Sequence, residues 1–463
     1  MTDTSGSAGS RASAEAAVLS YDEALRAIAE RGRYGIRLGL GRTRALLKAL
    51  GDPQHEVRGA LVTGTNGKGS VLALAAAAAR AAGLRVGATP KPHLVTYRER
   101  LQLNGRPVDA TTFARLVGEV LPFADRIARR HGEPTEFELL SAVVFRWFAE
   151  VRPDVALVEV GLGGRLDATN VWDGGVAAIT NVDLDHMDRL GSTIAAIARE
   201  KAAIIERGDH AVTAATGDAL TVIRRRARRL GVPLVEVAAP PILGWDRDGL
   251  DVDLPRLGPT RIGLRGRHQA INAATAHAIL DALGAAGIAD VPDEARRRGF
   301  AAATWPGRLE LIDRGGQSIL LDGAHNPAGA AALATALEDL RPHLGRRGPH
   351  PLEPLTVLTA VAADKDVAGI VAALAGSPAL EMATILCTQF DDPRALPAAL
   401  LAAAWSRAGA PTHQVEAVPD WREGLARALD TASGTIIVTG SLYLVGAIRA
   451  LLVDDPDLAD PLT

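Results

Sequence analysis

The stretch VTGTNGKGSV, residues 62–71, stands between an apolar run and an Ala-rich segment. GALVTGT (59–65) reads as a buried strand, and residues 68–82 read as a helix stopped by Gly83. Glycines at such a strand-to-helix turn let backbone N–H groups curl around phosphate oxygens. The helix N-terminus adds its positive end and Lys68 a point charge. Gly64, Thr65, Asn66, Gly67, Lys68, Gly69 and Ser70 are therefore candidate phosphate-binding residues, and the Ser70 hydroxyl is a candidate ligand for Mg²⁺. Only two residues separate Gly64 from Gly67, so the spacing is not that of the usual Walker A loop.

Working outward, apolar runs of strand length alternate with amphipathic or Ala-rich helical segments. TEFELLSAVVFRWFAEV (135–151) opens with a Thr135/Glu138 capping box and continues with helical apolar spacing. DVALVEV (154–160) and VAAITNV (176–182) read as buried strands that end in polar turns. The pattern restarts with SILLDGAHN (318–326), LTVLTAV (355–361), MATILCT (382–388) and TIIVTGS (435–441). Such alternation predicts an α/β protein with parallel sheets covered on both faces and ligands gathered at the carboxyl ends of the strands. Residues 1–17 are small and polar and are expected to form a disordered tail. Two units follow, 18–303 and 304–463, divided where Pro306 and Gly307 break the chain after a helix ending near Phe300.

Composition bounds the function. The chain has 463 residues, 48% hydrophobic and 23% charged, enough for two or three cores. A net charge of −3 gives no basic face for nucleic acid. The single cysteine, Cys387, excludes an internal disulfide and a thiolate zinc cluster. The N-terminus has no apolar core for a signal peptide, and the uncharged run 431–448 is interrupted by Gly, Ser and Thr. No membrane span and a cytoplasmic location are expected.

Further motifs carry candidate chemistry. VEVGLGGRLDATN (158–170) ends a strand with Glu159, a carboxylate that is costly to bury unless paired or bound to metal. ITNVDLDHMDRLG (179–191) places Asp183, Asp185, His186 and Asp188 after the next strand. By spacing alone, a shelf facing the phosphates with His186 as metal ligand and a solvated loop are equally good readings. Lys201, in EKAAII, taken alone reads as a snorkelling lysine. LDGAHNPAG (321–329) sets Asp322, His325 and Asn326 at a sheet edge before a helix that begins near Pro327. RHQAINAATAHAIL (267–280) is a helix with Gln269 and Asn272 on neighbouring faces.

Together with GIRLGLGRTRALLKALGDPQ (35–54), DHMDRLGSTIAAIAREKAAII (185–205), GRHQAINA (266–273) and WPGRLE (305–310), these strings resemble the folylpolyglutamate synthase/dihydrofolate synthase family of the Mur ligase superfamily. The resemblance covers nearly the whole chain after residue 20. It implies a P-loop domain of mostly parallel sheet and a smaller Rossmann-like C-terminal domain. It also implies an ATP-dependent amide ligase that joins L-glutamate to dihydropteroate or to a reduced folate through an acyl phosphate. By motif match, residues 64–70 hold phosphates, Ser70, Glu159 and His186 are magnesium ligands, and Lys201 is a carbamylated lysine that helps hold a metal. Asn272, Arg308 and Asp322 would hold nucleotide. Lys68, Lys201, Asp322 and His325 would serve catalysis, the last two reaching across from the second domain. One or two Mg²⁺ ions, K⁺ as a candidate further ion, and a monomer are implied.

One string departs from the family pattern. TPKPHL (89–94) places Lys91 where a metal-binding serine is expected. Protonated Lys has no lone pair for Mg²⁺ and is repelled by it. The favoured expectation is a side chain that points away, with water in the serine's place, or a loop shifted by Pro90 and Pro92. The alternative places the ammonium in the second ion's position. Two rival functions remain. A cell-wall Mur ligase would carry a further UDP-binding domain, but only 63 residues precede Gly64. A non-catalytic nucleotide-binding relative would not need the retained Lys68, Glu159, His186, Lys201, Asp322 and His325.

Overall fold

The strand–turn–helix at residues 59–82 forms the middle of the first unit. In the computed structural model, which describes residues 19–35, 37–344, 353–410 and 414–454, strand Gly59–Thr63 is buried throughout and helix Lys68–Ala81 follows directly. The tail expected at 1–17 lies outside the described residues. The helix is buried from Ser70 to Ala79, on all sides. Its alanines allow this: a Cβ on Gly299 would come within 2.3 Å of the Ala78 Cα, so helix Asp293–Ala301 crosses it at backbone contact.

Strand Gly59–Thr63 lies between Val155–Glu159 and Gly175–Ile179, parallel to both. The full order of this eight-stranded sheet is Arg106–Pro107, Gln102–Leu103, Val86–Thr89, Val155–Glu159, Gly59–Thr63, Gly175–Ile179, His210–Thr213, Leu234–Glu236. Three consecutive strand ends therefore deliver the phosphate loop, Glu159 and the Thr180–Asn181 turn to one edge. Helices Ala110–His131 and Glu136–Val151 cover one face of the sheet, and Lys68–Ala81 and Gln269–Ala285 cover the other. The Thr135/Glu138 capping box is present as expected.

The second α/β sheet runs Glu310–Arg314, Gln317–Leu321, Ile436–Thr439, Thr356–Thr359, Thr384–Gln389, Val415–Asp420. Its carboxyl edge faces that of the first. The run 431–448 is strand Ile436–Thr439 followed by helix Leu442–Val453, and no helix among the described residues is long and apolar enough to cross a membrane.

The expectation of parallel sheets needs correction at three places. Gln102–Leu103 and Arg106–Pro107 form a hairpin around Asn104–Gly105, with φ of 54° and 77°. Glu310–Arg314 pairs antiparallel with Gln317–Leu321 around Gly315–Gly316, with φ of 59° and 79°. Both turns need two consecutive left-handed residues, which Asn-Gly and Gly-Gly supply. Ile242–Asp246, Gly249–Leu254 and Gly258–Ile262 form a separate antiparallel sheet. Strand Ile242–Asp246 buries little of its surface, so it lacks the continuous apolar run that marks a central strand.

Candidate active site

The two sheet edges enclose a cleft of about 1050 Å³. Thr65 to Ser70, Glu159, His186 and Asn272 line it from the first unit, and Arg308, Asp322 and His325 from the second. Gly64 and Lys201 are not in its wall. They lie behind the loop, where the Lys201 ammonium donates to the Gly64 carbonyl at 2.9 Å.

Distant segments brace the Gly64–Ser70 loop. The Asn66 N–H donates to Asn181 Oδ1 at 2.8 Å, Thr180 Oγ1 donates to the Asn66 carbonyl at 2.6 Å, and the Thr65 N–H donates to the Asn181 carbonyl at 3.0 Å. Gly67 has a φ of 82°, and a Cβ there would stand 2.4 Å from Asn272 Oδ1. A Cβ on Gly69 would stand 2.7 Å from the Trp305 ring. The glycines are thus required by close approach as well as by backbone conformation. Lys68 Nζ donates to the carbonyls of Gly64 and Thr65, both at 3.0 Å, folded over the loop it serves.

Glu159 ends its strand with the carboxylate in the cleft. Burial raises its pKa against the opposing pull of Lys68, Lys91 and Arg308. Its Oε2 accepts the Lys91 N–H at 2.9 Å, and no hydrogen bond to Oε1 is made among the described residues. A single carboxylate beside phosphate-binding groups suits Mg²⁺, which takes one or two carboxylates with phosphate oxygens. His186 is half-exposed at a left-handed backbone position, its Nε2 3.8 Å from Asp185 Oδ2. Ser70 Oγ accepts from Gln269 Nε2 at 3.3 Å, and Asn272 Nδ2 donates to Gln269 Oε1 at 2.9 Å. Among the described residues no three His, Cys, Asp or Glu side chains converge on a metal position by themselves. Any ion here would depend on phosphate oxygens to complete its shell.

Burial, reinforced by Lys68, pushes the Lys201 ammonium down to about 7. A near-neutral amine at ordinary pH is the form that adds CO₂, so the bland snorkelling reading of Lys201 fails: this side chain is buried and points inward. Asp322 spends both oxygens on main-chain donors, Leu309 N–H at 2.9 Å and Ala324 N–H at 3.0 Å. It fastens the loop carrying Arg308 to the sheet edge. Arg308 is half-buried, faces Asp322 and Glu159, and donates to its neighbour's carbonyl, Gly307 O, at 3.1 Å. His325 Nδ1 lies 2.7 Å from the Gly323 carbonyl, which only accepts, so Nδ1 carries the proton and Nε2 keeps its lone pair. Burial lowers the pKa of this imidazole, favouring the neutral form. Asn326 caps the following helix through Gly329 N–H.

Lys91 is half-buried in the cleft wall and is not an exposed surface lysine. Its Nζ donates to the Glu159 carbonyl at 2.6 Å and lies 4.5 Å from the centre of the Phe137 ring. Burial lowers its pKa to about 8. Sequence reasoning missed Asn181, Phe137, Asp167, Arg100 and Arg394, which also shape the cleft. Asn181 stood inside a quoted motif, but its role as a brace for Asn66 depends on a contact across 115 positions.

A Gly-rich phosphate loop facing a second α/β unit is the arrangement of the Mur ligases. The chain matches the Mur ligase middle domain over residues 62–280 and the Mur ligase glutamate ligase domain over 307–442. It is 37% identical over 329 residues to the dihydrofolate synthase/folylpolyglutamate synthase of Bacillus subtilis, covering 69% of this chain and 76% of that protein. The Mycobacterium tuberculosis folylpolyglutamate synthase complexed with ADP and AMPPCP superimposes with a TM-score of 0.81 at 32% identity, over 94% of this chain and all of that one. E. coli FolC in complex with DHPP and ADP gives 0.78 at 27% identity, over 93% and 98%. The chain belongs to the folylpolyglutamate synthase/dihydrofolate synthase family, whose members are ATP-dependent amide ligases.

Proposed function

We propose that this cleft joins L-glutamate to dihydropteroate, to a reduced folate (poly)glutamate, or to both. The supporting observation is that Lys68 and Glu159 from one unit and Arg308 and His325 from the other converge on one cavity. An acceptor carboxylate oxygen attacks the γ-phosphorus of ATP and the bond to ADP breaks. The glutamate amine then attacks the acyl carbon, the C–N bond forms, phosphate leaves and the amine loses a proton. Catalysis of this kind is positioning and charge stabilisation. The loop N–H groups and Lys68 hold the β- and γ-phosphates, with Asn272 and Arg308 on the rest of the nucleotide. Asp322 holds Arg308 in place, and His325 offers Nε2 to the incoming amine.

Ser70, Glu159 and His186 would hold Mg²⁺, together with Lys201 once its amine has added CO₂ and released a proton. When bound, the ion neutralises charge spread over the phosphate oxygens. To K⁺ we assign no residue. The chain acts as a monomer in the cytosol on this reading, since one chain supplies every group named. Phosphate release measured with ATP, glutamate and either dihydropteroate or tetrahydrofolate tests it. Release that needs both glutamate and one of these acceptors is expected. Release with another amino acid only, or none at all, overturns the reading in favour of a different Mur-type ligase or a non-catalytic relative.

A site shared by two units must admit substrate and then exclude water, so closure is expected. Residues 303–304 are the proposed division. An outer clasp spans it: Arg267 forms a bidentate pair with Asp339 at 2.5 and 2.6 Å and stacks on Trp245, whose Nε1 donates to the Asp339 carbonyl at 3.1 Å. Small-angle scattering should show a smaller radius of gyration when nucleotide and folate are both saturating. An unchanged profile removes the closing cleft.

A further inference from the structure

A second metal ion is a part of the family pattern that this cleft does not fit. Its ligand would be a neutral hydroxyl where Lys91 stands. Lys91 is held by its backbone and its side chain. Its backbone N–H donates to Glu159 Oε2 at 2.9 Å, its Nζ donates to the Glu159 carbonyl at 2.6 Å, and its Nζ sits 4.5 Å from the Phe137 ring centre. A carbonyl oxygen and an aromatic face are both partners of a cation. The ring packs closely on the Gly161 backbone, where a Cβ would stand 2.7 Å from it. An ammonium has three donors, and the carbonyl uses one. A donor is left for the cleft, in a wall shared with Phe137, Asp167 and Arg100.

We infer that Lys91 is a built-in cation that binds the acceptor's carboxylate in place of a second divalent ion, so that this ligase works with one Mg²⁺. The inference rests on the ligase reading above. A tethered ammonium does this at a fixed position and needs no free ion. It also ties acceptor binding to the end of the strand that carries Glu159, since one side chain touches both.

The test is Mn²⁺ titration of the whole protein by electron paramagnetic resonance, with AMPPCP and the acceptor that supports phosphate release. One tightly bound Mn²⁺ per chain is expected in the wild-type protein, and two would overturn the inference. This count needs no variant. Lys91→Met should raise the acceptor KM about tenfold to a hundredfold, the loss expected for one hydrogen bond to a charged group, with the ATP KM within about twofold. Lys91→Arg should restore most of the acceptor affinity. An unchanged acceptor KM in a Lys91→Met protein that melts normally would also overturn it. Two bound Mn²⁺ with intact glutamate-dependent phosphate release defeats only the Lys91 assignment. Absence of that release in wild-type protein defeats the ligase reading instead.

Discussion

Lys68→Ala should lower glutamate-dependent ATP turnover about a hundredfold to a thousandfold, the size of effect seen when one preorganised donor to a developing charge is removed. The side chain is placed for that role. It sits at the first residue of helix Lys68–Ala81, and its Nζ rests on the Gly64 and Thr65 carbonyls at the mouth of the loop. The fold does not depend on it. Asn181 and Thr180 brace the loop, and the helix behind it is held by the buried apolar cluster from Val71 to Ala79. The thermal midpoint should therefore move little while turnover collapses. A folded variant with near-normal turnover would refute the phosphate-loop assignment.

Lys201→Ala is expected to lose turnover to a similar degree, about a hundredfold or more. Short carboxylates such as formate or acetate should restore part of it. The reason is the burial of the amine: a permanent ammonium beside Mg²⁺ would repel it, whereas a carbamate would present oxygens. Burial and Lys68 already bring the group to about 7, where the free amine is well populated. In the variant, a small carboxylate can occupy the vacated volume and supply the same oxygens. Wild-type turnover in Lys201→Ala would remove the carbamate from the mechanism. Loss of turnover without any rescue by carboxylates would leave Lys201 as a brace for the Gly64 carbonyl.

Much of this site was legible before any coordinates. The signals that carried it are local. Gly64, Gly67 and Gly69 mark a turn between a strand and a helix, and Pro327 after Asn326 marks a helix start. The Thr135/Glu138 box is complete within four residues. The antiparallel pieces were missed although Asn104–Gly105 and Gly315–Gly316 are hairpin signals, because the strands they join are too short or too exposed to stand out from loops.

The sequence by itself determined where strands end in Gly-rich turns, which helices follow them, and which polar residues stand at those ends. Those properties depend on backbone conformation and capping within a few residues. Tertiary structure alone decided what each charged side chain does there. Lys201 meets the Gly64 carbonyl across 137 positions, and Asp322, in the cleft wall, accepts from the Leu309 and Ala324 N–H groups. Lys91 turns to the Glu159 carbonyl and the Phe137 face. A buried charge takes whichever donor, acceptor or ring the packing brings within about 3–5 Å. Apart from Ala324, two positions from Asp322, those partners come from other segments of the chain, so no spacing between neighbouring residues encodes them.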